Sequence, residues 1–240
     1  MRGSQDVVIL CGGRGTRLGA LSVRHPKPLL PVGGRPFLLH RIRGLRQEGF
    51  TRIILAVHYL AEHFEAFVNA QRDLDVELRL LMEPEPLGTG GALRHAITAV
   101  ETPTLVVLNG DSWLRQPAAP VVAEHLRQGR AFTIVAVRAE HVEGGARRKG
   151  LLTIGAHDEL VGFATGDAVV GWVNAGLYVL QTALVRRWPS GRYDLEQELM
   201  RLVPPGQGTV YRSEGSLLDI GTPRRYAHAA RFLMEAEVAA

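Results

Sequence analysis

The chain has 240 residues, 46% of them hydrophobic and 22% charged, and we predict that residues 1–240 form one globular domain. Its 28 Lys and Arg residues against 24 Asp and Glu residues give a net charge of only +4, so small anionic molecules rather than nucleic acid are the expected partners. No apolar run is long enough to span a membrane, and a single cysteine excludes an internal disulfide, so we expect no membrane partner and a cytoplasmic location.

The first predicted element is a buried strand that ends at a glycine-rich loop. Residues 7–10 are apolar β-formers, and Gly12, Gly13 and Gly15 follow closely. Glycines let backbone N–H groups converge on an anion, because they have no Cβ and tolerate positive φ. Two familiar phosphate-binding motifs do not match this loop. The dinucleotide fingerprint requires a glycine where Leu18 stands, and the phosphate loop of NTPases requires a Gly-Lys-Ser/Thr triplet that does not occur near here. A plain turn between a strand and a helix remains the alternative for the glycines alone.

Basic residues beside this loop favour a polyphosphate ligand. Arg14 and Arg17 lie in the loop, and Lys27 follows between two prolines. Fixed positive charges of this kind complement phosphate groups better than they complement a neutral ligand.

Strands and helices alternate through the first half of the chain, and this alternation predicts right-handed βαβ units. We predict an α/β fold, a Rossmann-like mixed, mostly parallel sheet flanked by helices, with ligands at the carboxyl ends of its strands. The predicted helices cover residues 36–49, 60–70, 92–100, 182–188 and 195–202, and a last one begins at 222. The predicted strands cover residues 7–10, 53–57, 76–80, 105–108, 131–137, 151–154, 160–163, 171–180, 209–212 and 217–220.

Two aspartates stand at the ends of predicted strands. Asp111 follows an apolar strand, and Asp219 lies between Leu218 and Ile220. A carboxylate in such surroundings is costly to desolvate unless it meets a cation, and two carboxylates are the usual contribution of a protein to a nucleotide-bound Mg²⁺. The alternative is structural, with Asp111 anchoring a turn and Asp219 capping the last helix.

The motifs GGRGTRL at residues 12–18 and PKPL at residues 26–29 resemble the signature of the sugar-1-phosphate nucleotidyltransferases. The resemblance covers residues 7 to about 226 and implies a fold of the nucleotide-diphospho-sugar transferase type. It implies a nucleotide-binding half of about residues 1–130 and a sugar-phosphate-binding half of about residues 131–240. It also implies Mg²⁺ as the cofactor and a nucleoside triphosphate and a sugar 1-phosphate as substrates. A homo-oligomer is a further expectation.

The same resemblance implies a role for each residue that matches the motifs of the family. The catalytic residues are Arg17, Lys27 and Asp111, and the metal ligands are Asp111 and Asp219. The nucleotide-binding residues are Leu10, Gly12, Gly13, Gly15, Thr16, Glu83, Gly88 and Thr89. The sugar-binding residues are Asn109, Asn174, Gly176 and Glu196.

Glu83 bears on the choice of nucleotide, because the corresponding loop of the family contacts the nucleobase. An ionised carboxylate only accepts hydrogen bonds, and the N1–H and N2–H₂ groups of guanine form a paired donor edge. Uracil and thymine offer one donor between two acceptors, which suits an amide better. Glu83 therefore favours GTP, although Glu85 is a rival for the same role and an exposed loop glutamate is the alternative.

One departure from the family concerns the sugar phosphate. Many relatives carry a Glu-Lys pair after a strand like residues 160–163, and the lysine holds this phosphate, whereas Ala164 and Thr165 stand here. We expect one of four basic residues to replace the lysine: Arg148, Lys149, Arg192 or Arg212.

The motifs PLGTGG at residues 86–91 and DIGTP at residues 219–223 look most similar to guanylyltransferases that act on D-glycero-α-D-manno-heptose 1-phosphate. Mannose 1-phosphate guanylyltransferases and N-acetylmuramate 1-phosphate uridylyltransferases share much of this pattern and remain alternatives. A non-catalytic subunit that senses nucleotide sugars is another alternative, but it is expected to lose a metal aspartate or a basic loop residue first. We therefore predict an enzyme that transfers GMP from GTP to a sugar 1-phosphate.

Overall fold

The computed structural model describes residues 5–71, 73–145, 150–164 and 170–238, with side chains as far as residue 234. Its strands are β1 Asp6–Leu10, β2 Pro31–Val32, β3 Arg35–Pro36, β4 Arg52–Val57, β5 Glu77–Met82, β6 Thr104–Asn109, β7 Ser112–Leu114, β8 Phe132–Arg138, β9 Leu151–Ile154, β10 Leu160–Ala164, β11 Trp172–Gln181, β12 Gly208–Ser213 and β13 Leu217–Asp219. Its α-helices are α1 Phe37–Gln47, α2 Ala61–Asn69, α3 Gly88–Ala96, α4 Ala118–Gln128, α5 Thr182–Arg186, α6 Leu195–Leu202 and α7 Pro223–Val238.

A mixed sheet of nine strands forms the centre of the fold. Its main path runs β10-β9-β11-β6-β1-β4-β5, and β8 joins β11 and carries β12 on its other edge. The strands of the first half pair in parallel, β1 with β4 and β6, and β4 with β5. Strand β11 runs antiparallel to β6 and links the two halves of the chain in one sheet. The predicted fold class is therefore confirmed.

Helices cover both faces of this sheet, because alternate side chains of each buried strand point to opposite faces. Val7 and Ile9 of β1 pack in one apolar cluster with Ile42 of α1. Val8, between them, packs in a second cluster with Leu93 of α3. None of the described helices is long and apolar enough to cross a membrane.

The structure departs from the predicted elements in two respects. Helix α4, strand β7 and the short pairing of β2 with β3 were not predicted. The helix predicted over residues 92–100 instead begins at Gly88 and gives way to a 3-10 turn at Ile97–Ala99. The glycines of residues 88–91 have poor helix propensity, which favoured a loop in the sequence, but tertiary packing described below overrides that propensity.

Candidate active site

The carboxyl ends of β1, β5 and β6 meet at one edge of the sheet and border a cavity of about 780 Å³. Most of the predicted site residues line it: Leu10, Gly12, Gly13, Gly15, Thr16, Arg17, Lys27, Glu83, Gly88, Thr89, Asn109 and Asp111. Other lining residues carried no predicted role, among them His58, Asp194 and Gly221. The predicted residues that do not line the cavity are Asp219, Asn174, Gly176 and Glu196. Asp219 and Gly176 each contact a residue that does line it.

The glycine-rich loop turns sharply at Gly15, whose φ of +63° lies in the left-handed region that favours glycine. The hydroxyl of Ser22 donates a hydrogen bond to the carbonyl of Gly15 over 2.9 Å, and the amide of Leu18 donates to the same carbonyl over 2.9 Å. These bonds fold the loop into a 3-10 turn at Thr16–Ser22. Lys27 lies next to Gly15, and both residues line the cavity.

Two aspartates from different strands converge on the ammonium group of Lys27. Nζ of Lys27 forms an ion pair with Asp111 and lies 3.6 Å from Oδ1 of Asp219. The pairing of β7 with β13 brings the aspartates together, because it sets Asp219 opposite Ser112, the residue after Asp111. The amide of Ile220 also donates a hydrogen bond to the carbonyl of Asp111 over 3.0 Å.

This arrangement fits a divalent metal that is shared with a nucleotide. The two carboxylates already converge on one cation, and the side chain of Asp111 keeps 33% of its surface exposed towards the cleft. Among the described residues no three His, Cys, Asp or Glu side chains form a group that could hold a metal by themselves. Two carboxylates are what Mg²⁺ commonly takes from a protein when phosphates supply other ligands. Asp111 and Asp219 are therefore suitable metal ligands.

Glu83 lines the cleft, and one of its carboxylate oxygens has no hydrogen-bond partner. Its Oε2 accepts a hydrogen bond from the amide of Leu87 over 3.1 Å, whereas its Oε1 is buried and has no hydrogen-bond partner. Oε1 faces Gly12 so closely that a Cβ at Gly12 would collide with it. Burial raises the pKa of the Glu83 carboxyl. The rival Glu85 is exposed and does not line the cavity.

The glycines that begin α3 allow a close approach of the second half of the chain. The amide of Gly90 donates a hydrogen bond to the carbonyl of Tyr193 over 3.0 Å, and a Cβ at Gly91 would collide with the carbonyl of Gly191. The hydroxyl of Thr89 accepts a hydrogen bond from the amide of Leu195, the first residue of α6, over 2.9 Å. These contacts join the start of α3 to α6 and to the segment that precedes it, and no local sequence pattern predicts them.

The predicted sugar-binding residues form a hydrogen-bonded cluster behind Asn109. The amide of Asn174 donates to the Tyr178 hydroxyl over 2.6 Å, and that hydroxyl donates to Oε1 of Glu196 over 2.6 Å. The backbone N–H of Gly176 donates to Oδ1 of Asn174 over 2.8 Å, and Gly176 packs against the side chain of Asn109, which lines the cavity. Burial and the neighbouring Glu196 raise the pKa of Tyr178, so its hydroxyl stays a donor.

The structure distinguishes among the four basic residues that were predicted as candidates for holding the sugar phosphate. Arg192 lines the cavity. Arg212 does not; it pairs with Asp158 over 2.7 Å and its guanidinium lies 5.5 Å from the ring centre of Trp172. Arg148 and Lys149 lie outside the described residues.

A glycine-rich loop and a carboxylate–lysine cluster at the carboxyl edge of a mixed sheet are typical of a protein that binds a phosphorylated nucleotide. Comparison with known families agrees, since residues 6–236 match the nucleotidyl transferase family. The chain belongs to this family, and the predicted resemblance is confirmed.

Curated relatives of the chain include guanylyltransferases. The mannose-1-phosphate guanylyltransferase of Mycobacterium tuberculosis is 31% identical over 235 residues, which are 95% of this chain and 64% of that protein. The mannose-1-phosphate guanylyltransferase catalytic subunit beta of Danio rerio is 33% identical over 227 residues, which are 91% of this chain and 62% of that protein. The chain thus spans less than two thirds of the length of these relatives.

Solved structures share the fold along nearly the whole chain. HddC from Yersinia pseudotuberculosis, complexed with GMP-PN, superposes with a TM-score of 0.85 at 28% identity, covering 95% of this chain and 99% of HddC. A putative glucose-1-phosphate thymidylyltransferase from Bacillus anthracis has a TM-score of 0.82 at 20% identity, covering 95% of each chain. The second likeness concerns the fold alone.

Proposed function

We propose that the protein transfers GMP from GTP to a sugar 1-phosphate, releasing pyrophosphate, with Mg²⁺ bound by Asp111 and Asp219. The observation that carries this proposal is that Glu83, whose Oε1 is buried and unpaired, lines the same cleft as Lys27 and Asp111, which lie beside Asp219. A buried acceptor without a partner costs free energy, and a ligand that donates to it recovers that cost on binding.

The choice of guanine rests on the chemistry of this acceptor. Oε1 of Glu83 suits one donor of the guanine edge, and Oε2, which already accepts from Leu87, has capacity for a second. The names of the curated relatives and the guanine nucleotide in the HddC structure support the same nucleotide. A uracil or thymine ring would set a carbonyl oxygen against the carboxylate.

The reaction needs no protein nucleophile. An oxygen of the sugar phosphate attacks the α-phosphorus of GTP, a new P–O bond forms there, and the bond to the departing pyrophosphate breaks. Arg17 and Lys27 are the groups that stabilise charge on the phosphates, and the backbone of residues 12–15 orients the phosphates. Asp111 and Asp219 would hold the Mg²⁺, which would supply further charge neutralisation at the phosphates. A non-catalytic sensor would have no need to retain all four side chains.

The sugar is bound by the cluster behind Asn109, in which Asn174 and Glu196 supply polar groups to hydroxyls. We favour D-glycero-α-D-manno-heptose 1-phosphate, following the sequence motifs described above. Mannose 1-phosphate is the second candidate, because the curated relatives carry that name. Arg192 is the residue that we assign to the sugar phosphate, since it lines the cavity from the second half of the chain.

Pyrophosphate release tests the proposal directly. Purified protein with Mg²⁺ is given GTP, UTP or dTTP in combination with heptose, mannose, glucose and N-acetylmuramate 1-phosphates. We expect the highest kcat/KM for GTP with a sugar phosphate of manno configuration. A preference for UTP would move the uridylyltransferase alternative ahead, and an absence of turnover with every pair would favour a sensing subunit.

A further inference from the structure

Arg225, near the start of α7, holds the carboxylate of Asp219 from the side that faces away from Lys27. Its Nη1 lies 3.3 Å from Oδ2 of Asp219, and its Nη2 donates a hydrogen bond to the carbonyl of Gly145. The side chain is buried beneath Gly144, where a Cβ would lie only 2.9 Å from Cγ of Arg225. Arg225 is thus enclosed by the fold and has no part in the motifs recognised in the sequence.

The other carboxylate oxygen of Asp219 is engaged as well. Oδ1 accepts a hydrogen bond from the amide of Gly221 over 2.6 Å and lies 3.6 Å from Nζ of Lys27. A Cβ placed on Gly221 would lie 2.8 Å from Nζ of Lys27 and 3.2 Å from Nη2 of Arg17. Lys27 thus lies beside both aspartates, Arg225 contacts Asp219, and Arg17 lies beside Gly221. Three positive side chains accompany two negative ones in this cluster.

We propose that Arg225 is a positioning residue that acts as the internal counter-ion of Asp219, so that a divalent metal reaches Asp219 only together with a polyphosphate. A divalent ion approaching the protein alone meets a cluster whose carboxylates are already neutralised. A triphosphate brings several negative charges and draws Lys27 and Arg17 towards itself, which frees the carboxylates for the metal. This inference rests on the proposed function for the identity of the polyphosphate, but its charge argument concerns side chains of this chain alone.

Mn²⁺ binding to the nucleotide-free protein, followed by electron paramagnetic resonance, tests this inference. Arg225→Met removes the buried charge, and Arg225→Gln is a second neutral variant should the first fail to fold. Arg225→Lys keeps the charge. Arg224→Met is the matched control, because it removes the same charge from the neighbouring, exposed position on α7. Even in the dielectric of bulk water, a unit charge about 6 Å from a divalent ion changes its affinity roughly tenfold.

We expect Arg225→Met or Arg225→Gln to bind Mn²⁺ at least about tenfold more tightly than the wild type, while Arg225→Lys and Arg224→Met stay near the wild-type value. A purely structural role predicts weaker metal binding in every Arg225 variant, and that result would overturn the proposal. So would micromolar, saturable Mn²⁺ binding to the nucleotide-free wild type. The assay contains neither GTP nor sugar phosphate, so its outcome is independent of whether the proposed transferase activity is found.

Discussion

Glu83 combines a cost in stability with a proposed use in binding. Its Oε1 is buried without a partner, and the desolvation that this entails is the main cause of the raised pKa of its carboxyl. A group of this kind weakens the free protein and becomes satisfied only when a donor arrives. Substitution of Glu83 is therefore the most direct test of the proposed preference for GTP.

Glu83→Gln should lower kcat/KM for GTP by roughly ten- to a hundredfold, because an amide sets a donor against a guanine donor and mismatched buried polar groups cost about 1–3 kcal/mol. The effect on UTP should be much smaller, since its imide edge can pair with an amide. Steady-state kinetics with both nucleotides measure the difference. Glu85→Gln is the matched control, because Glu85 is exposed. An unchanged GTP preference in Glu83→Gln would remove the main physical argument for guanine.

The raised pKa of Glu83 also predicts a pH dependence. The ionised carboxylate is the form that accepts both guanine donors, so KM for GTP should rise as pH falls through a pKa that lies above the usual range of glutamate. The effect of the same titration on folding stability is opposite, because binding of GTP favours the ionised carboxylate whereas folding favours the protonated carboxyl. A carboxyl whose pKa is raised in the folded state favours folding while protonated, and that contribution is lost as pH rises through the folded pKa.

KM for GTP measured from mildly acidic to neutral pH tests this dependence, with KM for UTP as the control for titration of the phosphates themselves. The acid rise specific to GTP should vanish in Glu83→Gln. The same rise in the variant and the wild type would assign it to another group.

At this scale the sequence predicted much of the site, because local motifs carried it. Lys27, Asp111 and Asp219 were each recognised, and the structure brings them together. Arg225 was not foreseen and Tyr178 carried no predicted role, because their contacts with Asp219 and Glu196 join different elements and no local pattern predicts a tertiary contact.

Among the secondary-structure elements, helix α3 shows most clearly that a local sequence pattern does not predict a tertiary contact. Residues 88–91 include three glycines and therefore predict a loop, since glycine costs about 1 kcal/mol in a helix interior. The structure nevertheless begins the helix at Gly88, and the absence of side chains lets the backbone of residues 191–193 pack against it. The glycines there serve a helix contact in addition to any contact with the nucleotide.

Gly91→Ala should therefore destabilise the protein, although alanine is the better helix former. The new Cβ would collide with the backbone carbonyl of Gly191, and overpacking of this kind costs about 1–3 kcal/mol. Thermal or urea unfolding measures the loss. Gly162→Ala in β10 is the matched control, because a Cβ there meets nothing within 4 Å. Equal stability of the two variants would contradict the proposed contact.

Across the whole molecule, predictability falls from the first half to the second. The first half alternates strands and helices, so its parallel order follows from connection rules. In the second half β11 pairs with β6, β8 and β9, and β12 returns to lie parallel to β8. These pairings join strands far apart in sequence, and strand propensity alone does not select the partner.

The two halves of the chain are joined at Thr89, which lies in the first turn of α3 and accepts a hydrogen bond from the first amide of α6, the helix that carries Glu196. Thr89→Val keeps the shape and removes the acceptor, so we expect KM for the sugar 1-phosphate to rise several-fold through misplacement of Glu196, while KM for GTP changes little. Thr89→Ser, which restores the hydroxyl, should recover the wild-type value. The sequence motif instead assigns Thr89 to the nucleotide, and that role predicts the reverse pattern, with KM for GTP rising and KM for the sugar unchanged. Steady-state kinetics with each substrate varied in turn separate these two roles. Only a Thr89 hydroxyl that positions α6 would alter KM for the sugar 1-phosphate while leaving KM for GTP unchanged.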